Sequence, residues 1–204
     1  MSEFSISSPD FEDGGEIPKK FGYKHGNVNP TLKIRMPPEA RSIVLIMDDP
    51  DALEVVGRVW VHWVMWNICS RKNDNIKFTE ITEFTIPSGT NEKPLTEDEW
   101  DAVDNKEETE NNKHRLFTDH QARYGNPTPY EPLAGALDGL NDFKEFDYGG
   151  PAPPDKKHTY IFKAYALDIA ELSPDDRKGT KTSVENAMTG HILAEAKLTG
   201  TFAP

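Results

Sequence analysis

The stretch GRVWVHWVMWNI, residues 57–68, is the most informative segment for the fold. Valine, tryptophan, methionine and isoleucine dominate it, which is typical of a β-strand that is buried on both faces. One ionisable residue, His62, stands in the middle of this apolar run. It is either a core histidine whose ring nitrogens are both hydrogen-bonded, or one wall of a ligand pocket.

Strand patterns also dominate the rest of the chain, with turn-forming prolines and glycines between them. The strand in the quoted stretch is predicted at residues 59–68, and the further predicted strands are residues 42–49, 78–86, 159–167 and 191–198. Helical signals occur only near the C-terminus, where Thr182 begins a capping-box sequence that Gly190 would end. Ser173-Pro174 has the features of a second helix start. The pattern predicts a mostly β protein, a sandwich or a barrel, rather than alternating βαβ units.

Charge and composition limit the classes of partner. The 204 residues carry a formal net charge of −12, which disfavours nucleic acid because lysine and arginine drive binding to phosphates. The single cysteine, Cys69, excludes an intrachain disulfide and fits a reducing compartment. No apolar run is long enough for a transmembrane helix, and the N-terminus lacks the features of a signal peptide. We therefore expect a soluble, cytoplasmic protein.

The segment from about residue 91 to 135 differs from its surroundings, because acidic residues crowd its first half. Loops longer than about 12–15 residues are usually either functional or disordered. The segment is either a solvated surface excursion or a pocket lid or partner-binding arm, with Trp100 and Phe117 as anchors. We expect a single domain, residues 1–204, with an acidic loop insertion at this place.

Polar groups gather first at the end of the predicted strand 42–49. Asp48, Asp49 and Asp51 surround Pro50 there, and three carboxylates could cap turns, accept hydrogen bonds from a ligand or bind a metal. A second group lies on the neighbouring predicted strand. Because side chains alternate between the faces of a strand, Trp60 and His62 should share one face.

The third and most informative group is YGGPAPPDKKHTY, residues 148–160. Its prolines stiffen the loop and have no N–H, whereas its glycines and Ala152 could present amides to an anion. His158 and Tyr160 follow on one face of the next strand, and such groups suit a phosphate or a carboxylate. The alternative is a rigid turn that leads into a core strand.

These motifs, taken in order, carry a resemblance to a known family. DPDA, WVHW, GGPAPP and HTY followed by YALD resemble the phosphatidylethanolamine-binding protein (PEBP) family, most of all its bacterial and archaeal Raf kinase inhibitor-like branch. The resemblance extends over most of residues 4–88 and 138–202. It implies two antiparallel sheets with Greek-key connections, a few short helices and a small anion-binding pocket near the surface.

The resemblance also implies a set of ligand-binding residues. They are Asp49, Asp51, Trp60, His62, Gly150, Ala152, Pro153, Pro154, His158 and Tyr160. The chain departs from the family pattern at Leu53, where a proline is usual. It departs again at Lys157 and Thr159, where a glycine and an arginine are common.

Three functions remain open at this point. The first is non-catalytic binding of a small anion such as phosphate or phosphorylethanolamine, without a cofactor or metal, which could regulate a protein partner. The second is an acid–base enzyme, such as a small-molecule hydrolase, that uses Asp49, His62 and His158. The third is an inhibitor or scaffold of a kinase or protease. A homodimer is also left open.

Overall fold

The computed structural model describes residues 4–69, 83–89, 133 and 135–204, and the backbone alone of 95–96. Within these residues a short 3-10 helix spans Lys19–Phe21, and two α-helices span Leu53–Val56 (α1) and Lys181–Met188 (α2). The described strands before residue 90 are β1 (Ser5–Ser7), β2 (Gly15–Glu16), β3 (Leu32–Arg35), β4 (Ser42–Asp49), β5 (Trp60–Ile68) and β6 (Glu83–Ile86). The others are β7 (Leu95–Thr96), β8 (Leu137–Asp138), β9 (Glu145–Phe146), β10 (His158–Leu167) and β11 (Ile192–Phe202).

The strands form two main sheets and one small ribbon. The larger sheet has the order β2-β11-β10-β4-β5-β8, the smaller sheet has the order β1-β3-β6, and β7 pairs with β9. The pairings are antiparallel except for that of β11 with β2. The prediction of a mostly β protein with two sheets and few helices is confirmed.

The apolar runs of the sequence occupy the centre of the larger sheet because both of its faces are covered. Every residue of β4 is buried. Leu45 and Met47 point into the core that lies between the two sheets, whereas Val44 and Ile46 pack on the opposite face with α2 residues such as Val184. Burial on both faces explains why β4 lacks a polar alternation.

Most predicted strand boundaries agree with the structure to within one residue. The strand at 42–49 has the predicted bounds, and those at 59–68 and 159–167 begin one residue away. The last strand is longer than predicted and continues to Phe202, because it pairs with the whole of β10. The C-terminal half of the strand predicted at 78–86 is β6, while residues 78–82 lie outside the described residues.

One helix prediction needs a small correction and the other is wrong. Helix α2 is capped by Thr180 rather than Thr182, since the Thr180 side chain accepts a hydrogen bond from the Ser183 N–H at 3.4 Å. No helix begins at Ser173. The preceding residue, Leu172, bonds through its N–H and carbonyl to the buried side chain of Asn67, and such tertiary hydrogen bonds override a local helix signal.

Most of the acidic segment, including Trp100 and Phe117, lies outside the described residues, so its predicted role stays a prediction. Among the residues that are described, no helix is long and apolar enough to cross a membrane.

Candidate functional site

The candidate site lies where β4 ends and β10 begins. In the antiparallel register Asp49 pairs with Trp60 on β5, and Asp48 pairs with Ile161, the residue after Tyr160. Asp49 follows the inward-facing Met47 by two residues, and Tyr160 precedes the inward-facing Phe162 by two. Strand alternation therefore turns Asp49 and Tyr160 to the same face of the sheet.

A β-bulge brings His62 to that face as well. Asp48 pairs with Val61 and Met47 pairs with Trp63, so His62 is the extra residue on β5. A bulge redirects side chains at the point where it interrupts the ladder. The His62 ring packs edge-to-face against Tyr160, with ring centroids 5.1 Å apart, and it also meets Phe143 at 5.3 Å. Trp60 contacts the same Phe143 ring at 5.4 Å, as its predicted shared face with His62 requires.

The hydrogen bonds of His62 fix its tautomer. Its Nδ1 lies 2.6 Å from the carbonyl oxygen of Gly149, and because a carbonyl can only accept, Nδ1 is the donor. Burial lowers the pKa of His62 and outweighs the Gly149 carbonyl and the charge of Asp49, which raise it. The imidazole is therefore neutral at neutral pH, and its Nε2 carries a lone pair and no proton.

His158 has the opposite electrostatic character. Its Nδ1 lies 2.7 Å from Oδ2 of Asp49, and its Nε2 lies 2.9 Å from Oδ1 of Asp155. Burial lowers the pKa of His158, but the hydrogen bond and charge of Asp49, followed by those of Asp155, outweigh it, so the pKa rises. Because both carboxylates can only accept, both ring nitrogens donate in this arrangement, so the buried ring is an imidazolium whose two N–H groups are already used.

The two carboxylates of the DPDA motif also hold backbone. Asp49 accepts a hydrogen bond from the Ala52 N–H at 3.1 Å, and Asp51 accepts one from the Thr159 N–H at 2.7 Å. Turn capping, one of the alternatives for this motif, therefore accounts for part of the role of Asp49. Asp51 does not cap this turn with the bond that the structure shows, and instead ties the turn to the start of β10.

The glycine-proline loop is bound on its inner side. The Gly150 N–H donates to Oδ1 of Asn27 at 2.7 Å, and the Pro151 carbonyl accepts from the Tyr23 N–H at 3.0 Å. A Cβ at residue 150 would lie 2.1 Å from the Phe21 carbonyl oxygen, so only glycine fits there. Beyond it Ala152 is half-buried, Pro153 is buried and Pro154 is exposed.

The indole N–H of Trp60 is a buried donor without a partner in the described part of the chain, and Tyr160 provides a second one. The Tyr160 hydroxyl is buried, and no group in the described part of the chain meets normal hydrogen-bond geometry with it. The Asp49 carboxylate and the Ala152 N–H nevertheless lie close enough to the Tyr160 hydroxyl to affect its pKa. Burial raises the pKa of Tyr160 and Asp49 raises it further, while the Ala152 N–H acts in the opposite direction.

Four predicted residues thus form a continuous cluster, which we call the strand-end cluster: Asp49, His62, His158 and Tyr160. Three residues that the sequence reasoning did not assign support it. Asn27 holds Gly150, Phe143 contacts His62, and Asp155 binds His158. Phe143 lies in GLNDF and Asn27 in GNVNPTLK, two stretches that share in the family resemblance, and Asp155 lies within residues 148–160, but no sequence pattern assigns a role to any of the three. In the described part of the chain, no group of three or more histidine, cysteine or acidic side chains is arranged to hold a metal ion.

The fold and the strand-end cluster together define a two-sheet β protein that carries a set of polar side chains where its strands end. The family model described as phosphatidylethanolamine-binding protein matches residues 7–203, and the chain belongs to this family. The similar curated proteins carry the name UPF0098 protein. One from Chlamydia muridarum is 30% identical over 97% of both chains. One from Methanothermobacter thermautotrophicus is 31% identical over 94% of this chain and 93% of its own.

Solved structures agree with this assignment. The crystal structure of CT736, a PEBP homolog from Chlamydia trachomatis, is 29% identical with a TM-score of 0.64, and it covers 98% of this chain and 97% of that one. The structure of YbcL from Escherichia coli, titled a new member of the mammalian PEBP family, has a TM-score of 0.66 over 98% of both chains. Its 22% identity supports the fold alone.

Proposed function

We propose that the protein is a non-catalytic binder of a small oxyanion, phosphate- or carboxylate-bearing, at the strand-end cluster. Membership of a family named for ligand binding supports a binding protein. The observation that carries the anionic ligand is the buried Tyr160 hydroxyl, which has no partner of good geometry and lies beside the Ala152 N–H. Buried polar groups normally have partners, so a ligand oxygen is the natural acceptor for this hydroxyl.

Binding is expected to be weak, because few donors are available. Hydrogen bonds to a charged group contribute about 1.5–3 kcal/mol each, before the loss of translational freedom. The net charge of −12 repels anions, and the His158 imidazolium supplies a nearby positive charge. We therefore expect dissociation constants between roughly micromolar and millimolar.

The same geometry favours binding over acid–base catalysis. Both ring nitrogens of His158 are engaged by carboxylates, and Nδ1 of His62 is engaged by Gly149. A general base needs a nitrogen that can reach the substrate proton and a pKa near the working pH. A catalytic role would fall to Nε2 of His62 alone, with a pKa that burial lowers.

The proposal is tested by titrating inorganic phosphate and phosphorylethanolamine into the protein and following backbone amide shifts by NMR. We expect shifts at Ala152, His62 and Tyr160, and about tenfold weaker binding in Tyr160→Phe, which removes only the hydroxyl. His158→Ala should also weaken binding, because it removes the positive charge.

A matched control is available on the same strand. Tyr165 lies on the opposite face of β10, in the core shared with α2, and Tyr165→Phe should bind like the wild type. Unchanged amide shifts around Ala152 and Tyr160 in the wild-type titration would remove the proposal. Regulation of a protein partner is the finer expectation, and comparing captured partners with and without residues 91–135 would test it.

A further inference from the structure

The charges around the strand-end cluster are unusual for a site that binds an anion. Asp49, Asp51 and Asp155 all lie at or next to it, and His158 is the cation that contacts two of them. The nearby Lys156 is paired with Glu54 on α1. An incoming oxyanion without a proton would therefore meet more negative than positive charge, and like charges at short range are strongly unfavourable.

The hydrogen-bonding groups of the cluster are also not all donors. The Tyr160 hydroxyl, which has no partner of normal geometry in the described part of the chain, can donate to a ligand, and the Ala152 N–H lies against its oxygen. Asp49 can only accept, and its two oxygens have lone pairs beyond those used by Ala52 and His158. Nε2 of His62 also accepts, because the proton of the neutral ring is held on Nδ1 by Gly149.

The donor and acceptor sets therefore match a ligand that both accepts and donates. The structure thus assigns a specificity to this site, and the inference rests on the proposed function. We propose that the site binds an oxyanion only when the ligand itself carries a proton to donate to Asp49 or to Nε2 of His62. Monoprotonated phosphate and phosphomonoesters with an acidic P–OH meet this requirement, whereas fully deprotonated oxyanions of the same shape do not.

A ligand that carries a proton would also give Asp49 a role besides capping the turn at Ala52. If the site simply attracted negative charge, a buried carboxylate beside the Tyr160 hydroxyl would weaken it. As an acceptor for the proton of the ligand, the same carboxylate rejects anions that lack one. Two buried acceptors that face each other without a proton between them cost more free energy than a missing contact. A site with such a mismatch discriminates strongly between ligands.

The direct test compares phosphate with sulfate and monofluorophosphate on the wild-type protein at pH 7. All three are tetrahedral, but sulfate and monofluorophosphate have no proton left at this pH, and fluorine replaces the hydroxyl of phosphate at nearly the same size. We expect phosphate to bind at least about tenfold more tightly than either, measured by calorimetry or amide shifts. Phosphorylethanolamine, whose phosphate has a second pKa of about 6, has lost most of its P–OH proton at pH 7, so its ammonium is the group that donates to Asp49 or His62 there.

A second arm uses Asp49→Asn, which keeps the shape and adds N–H groups that can donate to an anion. The ratio of phosphate to sulfate affinity should fall several-fold toward one in this variant, and the ratio does not depend on a small loss of folded protein. Tyr165→Phe should keep the wild-type ratio, since it lies on the other face.

The outcomes separate this inference from the proposed function. Equal binding of phosphate, sulfate and monofluorophosphate overturns the specificity and leaves anion binding intact. Absence of binding by all of them, with unchanged shifts at Ala152 and Tyr160, overturns both. If Asp49→Asn does not fold, the comparison of phosphate with monofluorophosphate on the wild type decides alone.

Discussion

Two adjacent aspartates at the end of β4 have opposite surroundings. Asp48 points to the face covered by α2, where its Oδ2 accepts from Lys163 at 2.6 Å and from Lys181 at 2.7 Å. Asp49 points to the other face, where it contacts His158 and lies near the unpaired Tyr160 hydroxyl. Both side chains are buried, with 1% and 3% of the residue exposed.

The difference shows how one strand can serve structure on one face and binding on the other. Two half-buried ammonium groups, one from β10 and one from α2, neutralise Asp48 and tie the helix to the sheet. Asp49 has one imidazolium partner that is shared with Asp155, and a hydroxyl donor beside it is left over. The charge of Asp48 is neutralised by two cations although its Oδ1 has no hydrogen-bond partner in the described part of the chain, whereas the leftover hydroxyl beside Asp49 is a donor that a ligand could use.

The largest expected effect is the loss of the Asp48 contacts. Asp48→Ala leaves Lys163 and Lys181 without their carboxylate, and removing one partner of a buried ion pair costs about 3 kcal/mol. Urea denaturation should show this loss in the free energy of unfolding, while phosphate affinity measured under native conditions stays within about twofold of the wild type. A large loss of affinity without a loss of stability would reverse the roles that we assign to the two aspartates.

The second effect concerns His158 and depends on pH. Folding raises the pKa of His158 above the ordinary value of 6.5, so the stability from its protonated ring is complete below about pH 6.5. That stability is lost as the pH rises through the higher native pKa. His158→Gln should therefore lower the free energy of unfolding by about 2 kcal/mol at pH 5.5, the value of a charge-assisted hydrogen bond, and by less at pH 9.

The matched variant for this prediction is Asp155→Asn, which removes one carboxylate from the same ring. An NMR titration of the His158 ring should show a lower midpoint in this variant than in the wild type. A stability difference for His158→Gln that stays constant from pH 5.5 to 9 would contradict the buried imidazolium.

The third effect is an expected gain in the stability of the unliganded protein rather than a loss. Tyr160→Phe removes a buried hydroxyl that has no partner of good geometry among the described residues, so the unliganded protein should gain up to about 1 kcal/mol of stability. Thermal unfolding without ligand measures this gain, and the same variant should lose stabilisation by phosphate. A clear loss of stability without ligand would mean that the hydroxyl already has a good partner.

The smallest effect is expected at Leu53, the first residue of α1, where the resemblance to the family implies a proline. Leu53→Pro suits the first turn of a helix but removes the N–H that donates to the Pro50 carbonyl at 3.2 Å. Since Leu53 is 56% exposed, we expect a stability change within about 0.5 kcal/mol by urea denaturation. A change above about 2 kcal/mol would show that this turn is rigidly coupled to the strand-end cluster.

Much of the fold could be predicted from the sequence because burial leaves a strong pattern. The apolar runs at 42–49 and 59–68 predicted β4 and β5 nearly to the residue. The helix predicted from Ser173 was wrong, because the Asn67 side chain binds the backbone of Leu172 and no local pattern reports such a distant partner.

The sequence predicted which residues form the candidate site better than it predicted their hydrogen bonds and protonation. The ordered motifs named Asp49, His62, His158 and Tyr160, and the structure brings these four together. The roles differ from the simple expectation, since Gly150 gives its N–H to Asn27 and His158 uses both nitrogens on carboxylates. Whether all ten predicted residues contact a ligand stays a prediction.

The sequence by itself determined which segments are strands and which family the chain resembles, since alternation, apolar runs and ordered motifs are local properties of the chain. Tertiary structure alone decided the chemistry of the site. The β-bulge that turns His62 inward and the register that sets Asp49 near Tyr160 depend on pairing between distant strands. Protonation states follow from burial and from these neighbours, so His62 is neutral and His158 charged although their residue type is the same.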